Sequence, residues 1–132
     1  MSDLLKTGAA RPAIVAPMTH THHAIDYIEI TVTDMDAAKA FYTSAFGWSL
    51  TDYGPEYAGI GGDGSEQGGL RLDSATEPLV ILYSEDLEAT LEAVTAAGGT
   101  IARPIESFPG GRRFRFTDPA GNELAVWSDR ST

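Results

Sequence analysis

Asp34-Met35-Asp36-Ala37-Ala38-Lys39-Ala40-Phe41-Tyr42-Thr43-Ser44-Ala45-Phe46-Gly47 reads as one helix with both ends encoded. Asp34 is a good N-cap, because a carboxylate accepts from the unpaired backbone N–H groups of a first turn. Gly47 ends the helix, because only glycine enters left-handed backbone without a Cβ penalty. The pattern returns at a spacing of 52 residues (86 less 34): Asp86 caps a helix from Leu87 to Ala97, and Gly98-Gly99 ends it. Met35/Leu87, Asp36/Glu88, Ala37/Ala89, Thr43/Thr95, Ala45/Ala97 and Gly47/Gly99 keep the same spacing. Chance placement of common residues explains that register poorly, so two copies of one supersecondary unit are expected.

Strand patterns flank each helix. Tyr27 to Val32 alternates, with Ile28, Ile30 and Val32 on one face and Tyr27, Glu29 and Thr31 on the other. After the first helix come strand candidates at Trp48–Tyr53, Tyr57–Ile60 and Leu70–Leu72, and glycine-rich 61–69 reads as a mobile hairpin loop. The second half repeats the order: Leu79–Tyr83, the helix, then Thr100–Ile105, Arg113–Thr117 and Glu123–Trp127. The turn Asp118-Pro119-Ala120-Gly121-Asn122 joins the last two. Two βαβββ modules, about 24–73 and 78–128, are therefore expected. The fold class is α+β, with curved mixed sheets around a central cavity and helices on the outer faces. Residues 1–23 read as a flexible N-terminal arm, and 24–132 as a single domain.

Composition narrows the function classes. The chain has 132 residues, 42% of them hydrophobic and 21% charged, ordinary values for a globular domain. No apolar run approaches the roughly 18 residues of a membrane span. A net charge of −10 disfavours nucleic acid and anionic membranes as partners; the one dense basic patch is Arg112, Arg113 and Arg115. Cysteine is absent, which suits a reducing cytoplasm and removes thiolate chemistry. The N-terminus carries Asp3 early and Arg11-Pro12 later, unlike a signal peptide, so a cytoplasmic location is expected.

The segments Asp34–Tyr42 leading to Phe46-Gly47-Trp48, Asp86-Leu87-Glu88, Pro109-Gly110-Gly111-Arg112-Arg113-Phe114 and Phe116-Thr117-Asp118-Pro119-Ala120-Gly121-Asn122-Glu123 resemble the vicinal oxygen chelate superfamily over about 24–128. That superfamily includes glyoxalases, extradiol dioxygenases and bleomycin resistance proteins, and the resemblance is to its glyoxalase-like bacterial branch. It implies a divalent metal held by four inward His, Glu or Gln side chains. Carried over position by position, the ligand sites fall at Tyr27, in the strand around Gly69 to Leu72, at Leu79 and at Ala125. None supplies a usual ligand, and a metal needs about three in fixed geometry. Glu29 and Glu123 lie two residues from lost positions and could rebuild a carboxylate site. His20, His22 and His23 are read as an incidental cluster on the arm.

The face of Tyr27 and Glu29 is expected to line the cavity together with Tyr83, Trp127 and Arg71. Glu29 is the catalytic candidate, since a buried carboxylate can act as general acid or base. The alternation through Arg113-Phe114-Arg115-Phe116 turns either arginines or phenylalanines inward. Phe114 is carried as a lining candidate, with exposed arginines the competing expectation. Trp48 is expected in the core. Gly59-Ile60-Gly61-Gly62-Asp63-Gly64 matches a dinucleotide loop in form, but no helix follows it. The chain is thus expected to bind a small organic ligand without a metal, and to pair as a homodimer. The alternative is a lyase or isomerase resembling lactoylglutathione lyase, with Glu29 as base or a displaced Ni, Zn, Mn or Fe site.

Overall fold

A computed structural model describes residues 20–61 and 66–131. Most of the expected arm and the centre of the 61–69 loop lie outside the described residues. The elements run β1 (Ile25–Val32), α1 (Met35–Phe46), β2 (Leu50–Asp52), β3 (Tyr57–Ile60), β4 (Gly68–Leu72), β5 (Leu79–Tyr83), α2 (Leu87–Ala96), β6 (Thr100–Phe108), β7 (Gly111–Thr117) and β8 (Glu123–Ser128). This is the expected βαβββ order, twice.

The eight strands form a single mixed sheet in the order β2-β3-β4-β1-β5-β8-β7-β6. Within each half the first and last strands pair in parallel, β1 with β4 and β5 with β8. The halves meet where β1 and β5 run antiparallel, with Tyr27 opposite Ile81 and Glu29 opposite Leu79. The sheet stays open, with β2 and β6 as its edges.

Each helix starts as its sequence dictates. Asp34 and Asp86 have extended backbone, and each carboxylate accepts from the N–H three residues on, Ala37 and Ala89, at 3.0 Å. The ends differ. Gly47 takes left-handed φ of 68° directly after α1, whereas α2 closes at Ala97 and Gly98 takes φ of 104°. The repeat therefore slips by one residue here. Gly99 has another duty: a Cβ on it would meet Val94 and the Thr117 carbonyl.

Two clusters lie between the sheet and its helices. Met35, Ala58 and Leu70 form the first, joined by Ile30, Val32, Tyr42 and Leu50. Leu87, Phe114 and Val126 form the second, joined by Leu91, Val94 and Phe116. Phe114 is 1% exposed within it, so its place as a cavity-lining residue is corrected. Burying a phenyl ring under an apolar helix face removes more apolar area from water than burying an arginine stem, so β7 settles with its arginines on the opposite face. Trp48 is half-buried and stacks on Tyr42, with centroids 4.6 Å apart. No helix among the described residues is long and apolar enough to cross a membrane.

Candidate functional site

The face away from the helices carries Tyr27, Glu29 and Thr31 from β1, since alternate residues of a strand share a side. Arg71, Tyr83, Trp127, Arg113 and Arg115 join them from β4, β5, β8 and β7. Five of the six lining candidates thus share this concave face, and Phe114 does not.

At its centre lies a third cluster: Leu79, Ile81 and Ala125, all at most 4% exposed, with Tyr27 and Trp127 packed on them. Two of the four positions where the resemblance puts metal ligands, Leu79 and Ala125, belong to it, and a third, Tyr27, packs against it. The strand that holds the remaining one, around Gly69 to Leu72, is crowded at Gly69. A Cβ on Gly69 would run into the Tyr57 and Tyr27 hydroxyls, which hydrogen-bond each other at 2.5 Å. Burial raises the pKa of both phenols above the ordinary 10.0, and for Tyr57 its hydrogen bond with Tyr27 adds to it. They stay protonated at neutral pH, able to donate but not to serve as bases.

Glu29 is 4% exposed. Its Oε1 accepts from Arg71 Nε at 2.8 Å and stands 3.7 Å from Arg113 Nη1. Arg71 also donates Nη1 to Asp73 at 2.7 Å. A backbone hydrogen bond from Ser74, followed by that Arg71 contact, holds the Asp73 carboxyl below its ordinary value. One of the two Glu29 oxygens is thus already engaged by guanidinium groups. Glu123 lies apart from Glu29 in its own pair, accepting from Arg115 Nη1 at 3.1 Å.

These residues do not fit a divalent metal. The carried-over positions present apolar and phenolic groups, and both carboxylates are bound to guanidiniums. Among the described residues no group of three or more His, Asp or Glu side chains is placed to hold an ion.

Three histidines before the first strand had no strand signal to announce them. His20 stacks on Tyr83 at 4.8 Å and meets Trp127 edge-on at 4.9 Å. Its Nδ1 bonds Asp26 Oδ1 at 2.8 Å, while Asp26 Oδ2 accepts from Trp127 Nε1 at 2.9 Å. His23 bonds Thr90 of α2 at 2.9 Å, and the Glu85 N–H donates to His22 Nδ1 at 2.9 Å. Each histidine read as part of a loose cluster has its own partner in the second half. Tyr57 was missed as well, and its signal was faint: a tyrosine at a strand start, two residues before Gly59.

Open space remains at one end of the concave face. A cleft of ≈ 780 Å³ lies where β4 ends and β5 and β8 begin, bounded by Thr31, Arg71, Leu79, Arg115, Asn122 and Glu123 among others. Of the residues expected to bind ligand, only Arg71 borders it. Tyr27, Glu29, Tyr83 and Trp127 lie outside its wall. The 118–122 turn that closes it is rigid, because Asp118 Oδ1 accepts from the Ala120 and Asn122 N–H groups at 2.9 Å.

The family model described as Glyoxalase/Bleomycin resistance protein/Dioxygenase superfamily matches residues 24–126. A provisionally named glyoxylase, CFP32 of Mycobacterium bovis, is 28% identical over 115 residues, covering 77% of this chain and 44% of the relative. The chain thus spans less than half the length of the curated relatives it matches. Among solved structures, the Mn(II)-bound glyoxalase from Novosphingobium aromaticivorans superposes with a TM-score of 0.63 at 28% identity, covering 85% of this chain and 40% of that one. The hypothetical protein BH1468 from Bacillus halodurans gives a TM-score of 0.65 at 14% identity, covering 85% and 98%, which is a likeness of fold alone.

Proposed function

The chain belongs to the glyoxalase/bleomycin resistance protein/dioxygenase superfamily, and from that premise we propose that it binds a small organic ligand in the concave-face cleft without a metal. The observation that carries this reading is the cluster of Leu79, Ile81 and Ala125 with Tyr27, standing where the superfamily resemblance puts a chelate. A filled chelate position beside an open cleft separates ligand binding from metal chemistry. Glu29 in this reading is the counter-ion of Arg71 rather than a base, because a carboxylate removed from water is stable only when paired.

The test uses the full chain. After equilibration with Ni, Zn, Mn and Fe(II) and then extensive dialysis, emission spectroscopy is expected to find far less than one metal per chain. A small-molecule panel titrated against the labelled protein is expected to move the amide signals of Thr31, Leu79 and Asn122. Stoichiometric retained metal would overturn the metal-free reading, and a panel that leaves those amides still would overturn the cleft.

A further inference from the structure

The concave face holds more guanidinium donors than its own acceptors take up. Arg71 spends Nε on Glu29 and Nη1 on Asp73. Arg115 spends Nη1 on Glu123, and its Nε is the one buried side-chain nitrogen or oxygen without a hydrogen-bond partner among the described residues. Arg113 forms no side-chain hydrogen bond among the described residues. Its Nη1 reaches only to 3.7 Å from the Glu29 oxygen that Arg71 already holds. All three side chains are mostly buried, between 16% and 27% exposed. A buried donor left unsatisfied is costly, and native folds rarely leave one.

The pattern of used and unused nitrogens has a direction. A guanidinium offers two forks, one from its two terminal nitrogens and one from Nε with Nη2. On Arg115 the Glu123 bond engages Nη1 and leaves Nε, which is buried, and Nη2 without a partner, the pair that matches two parallel oxygens. Arg71 likewise retains Nη2, and both residues border the cleft. The neighbouring carboxylates do not compete, since Glu29, Asp73 and Glu123 each already hold an arginine.

Resting on the proposed cleft, we infer that the ligand is a monocarboxylate whose oxygens dock on the unpartnered Nε and Nη2 of Arg115 and the free Nη2 of Arg71, with Arg113 supplying a third positive charge. The carboxylates around the cleft weigh against a dianion more than against a monoanion. Three arginines face three paired carboxylates, and Glu77 and Asp118 add negative charge at the rim. A phosphate with nearly two charges meets that repulsion more strongly than a carboxylate with one. The floor beside the arginines, Leu79 and the Pro78 ring, suits an apolar body behind the acid group.

The test compares sodium benzoate, its neutral isostere benzamide and inorganic phosphate against the full chain, following the arginine Nε–Hε and backbone amide signals. Benzoate is expected to bind and to shift the Arg115 and Arg71 Nε–Hε signals, while benzamide and phosphate bind at least about tenfold more weakly. Arg115→Gln should weaken benzoate by about tenfold or more, and Arg115→Lys, which keeps the charge but loses the planar fork, should recover only part of that. The wild-type comparison carries the test by itself if the glutamine variant does not fold. Benzamide binding the cleft as tightly as benzoate would overturn the carboxylate assignment and leave the cleft reading standing. Tighter binding by phosphate would overturn the monoanion. Absence of any cleft shift with benzoate or benzamide at millimolar concentration would count against both readings.

Discussion

In the first half of the sheet Asp34 accepts from Ala37 N–H at 3.0 Å, and in the second Asp86 accepts from Ala89 N–H at the same distance, each Asp with φ of −142°. Each helix then covers a buried triad, Met35, Ala58 and Leu70 in one half and Leu87, Phe114 and Val126 in the other. On the concave side the halves part company. The first is paved by Tyr27, Tyr53 and Tyr57 over Gly59 and Gly69, with Tyr53 hydroxyl bonded to Glu66. The second carries Leu79, Ile81 and Ala125, capped by His20 between Tyr83 and Trp127. The lesson is that the helix-facing side is constrained by packing within each unit, so it repeats. The concave side is constrained by whatever fills or leaves the space, so it diverges.

The largest effect expected from breaking this comparison lies in the helix-side cores. Phe114→Ala should cost about 3–5 kcal/mol and Leu70→Ala about 2–5, read by urea unfolding. Because β1 and β5 join the halves in one sheet, both variants should shift a single common transition; two separable transitions would break the unity of the halves.

A smaller effect probes the first concave face by pH, beside the lesser contribution of Tyr83 in the second half, whose pKa burial also raises. Tyr27 and Tyr57 have pKa values raised above the ordinary 10.0 by burial in the folded state. The unfolded chain therefore loses these protons first as pH rises, so their stabilisation is complete below about pH 10 and disappears above it. Unfolding free energy should fall with pH on that side, and Tyr57→Phe should flatten the fall. An equally steep fall in the variant would place the alkaline sensitivity outside the first half.

The smallest expected effect sharpens the likeness. Asp34→Ala and Asp86→Ala should each cost about 1 kcal/mol, with matching losses in thermal melts. A clearly unequal pair would mean that the second cap is reinforced by its surroundings, where Asp86 N–H also donates to Ser84 Oγ at 3.0 Å.

Helix bounds were legible because caps act within three or four residues, and α1 runs from Met35 to Phe46 as its caps predict. Strands Tyr57–Ile60 and Leu79–Tyr83 matched their patterns residue for residue. The opening strand begins earlier than its alternation suggests, at Ile25, because an irregularity between Ile25 and Tyr27 breaks the period while pairing to β5 continues. The assignment of Phe114 failed for a different reason. Alternation divides a strand into two faces and does not say which one is inside; Leu87 and Val126 decided that.

The sequence by itself determined the duplicated unit, the α+β class, the superfamily resemblance and the lack of ligating side chains at its metal positions. Each of these is a matter of residue identity at a spacing along the chain. Only the tertiary structure decided that the chelate position is packed shut, that Glu29 is bound between Arg71 and Arg113, and that the open cleft lies at the strand ends. Those facts depend on pairs such as Asp26 with Trp127, 101 residues apart, and Arg71 with Glu29, 42 apart. No local period links such residues, so their meeting is set by how the two units fold against each other.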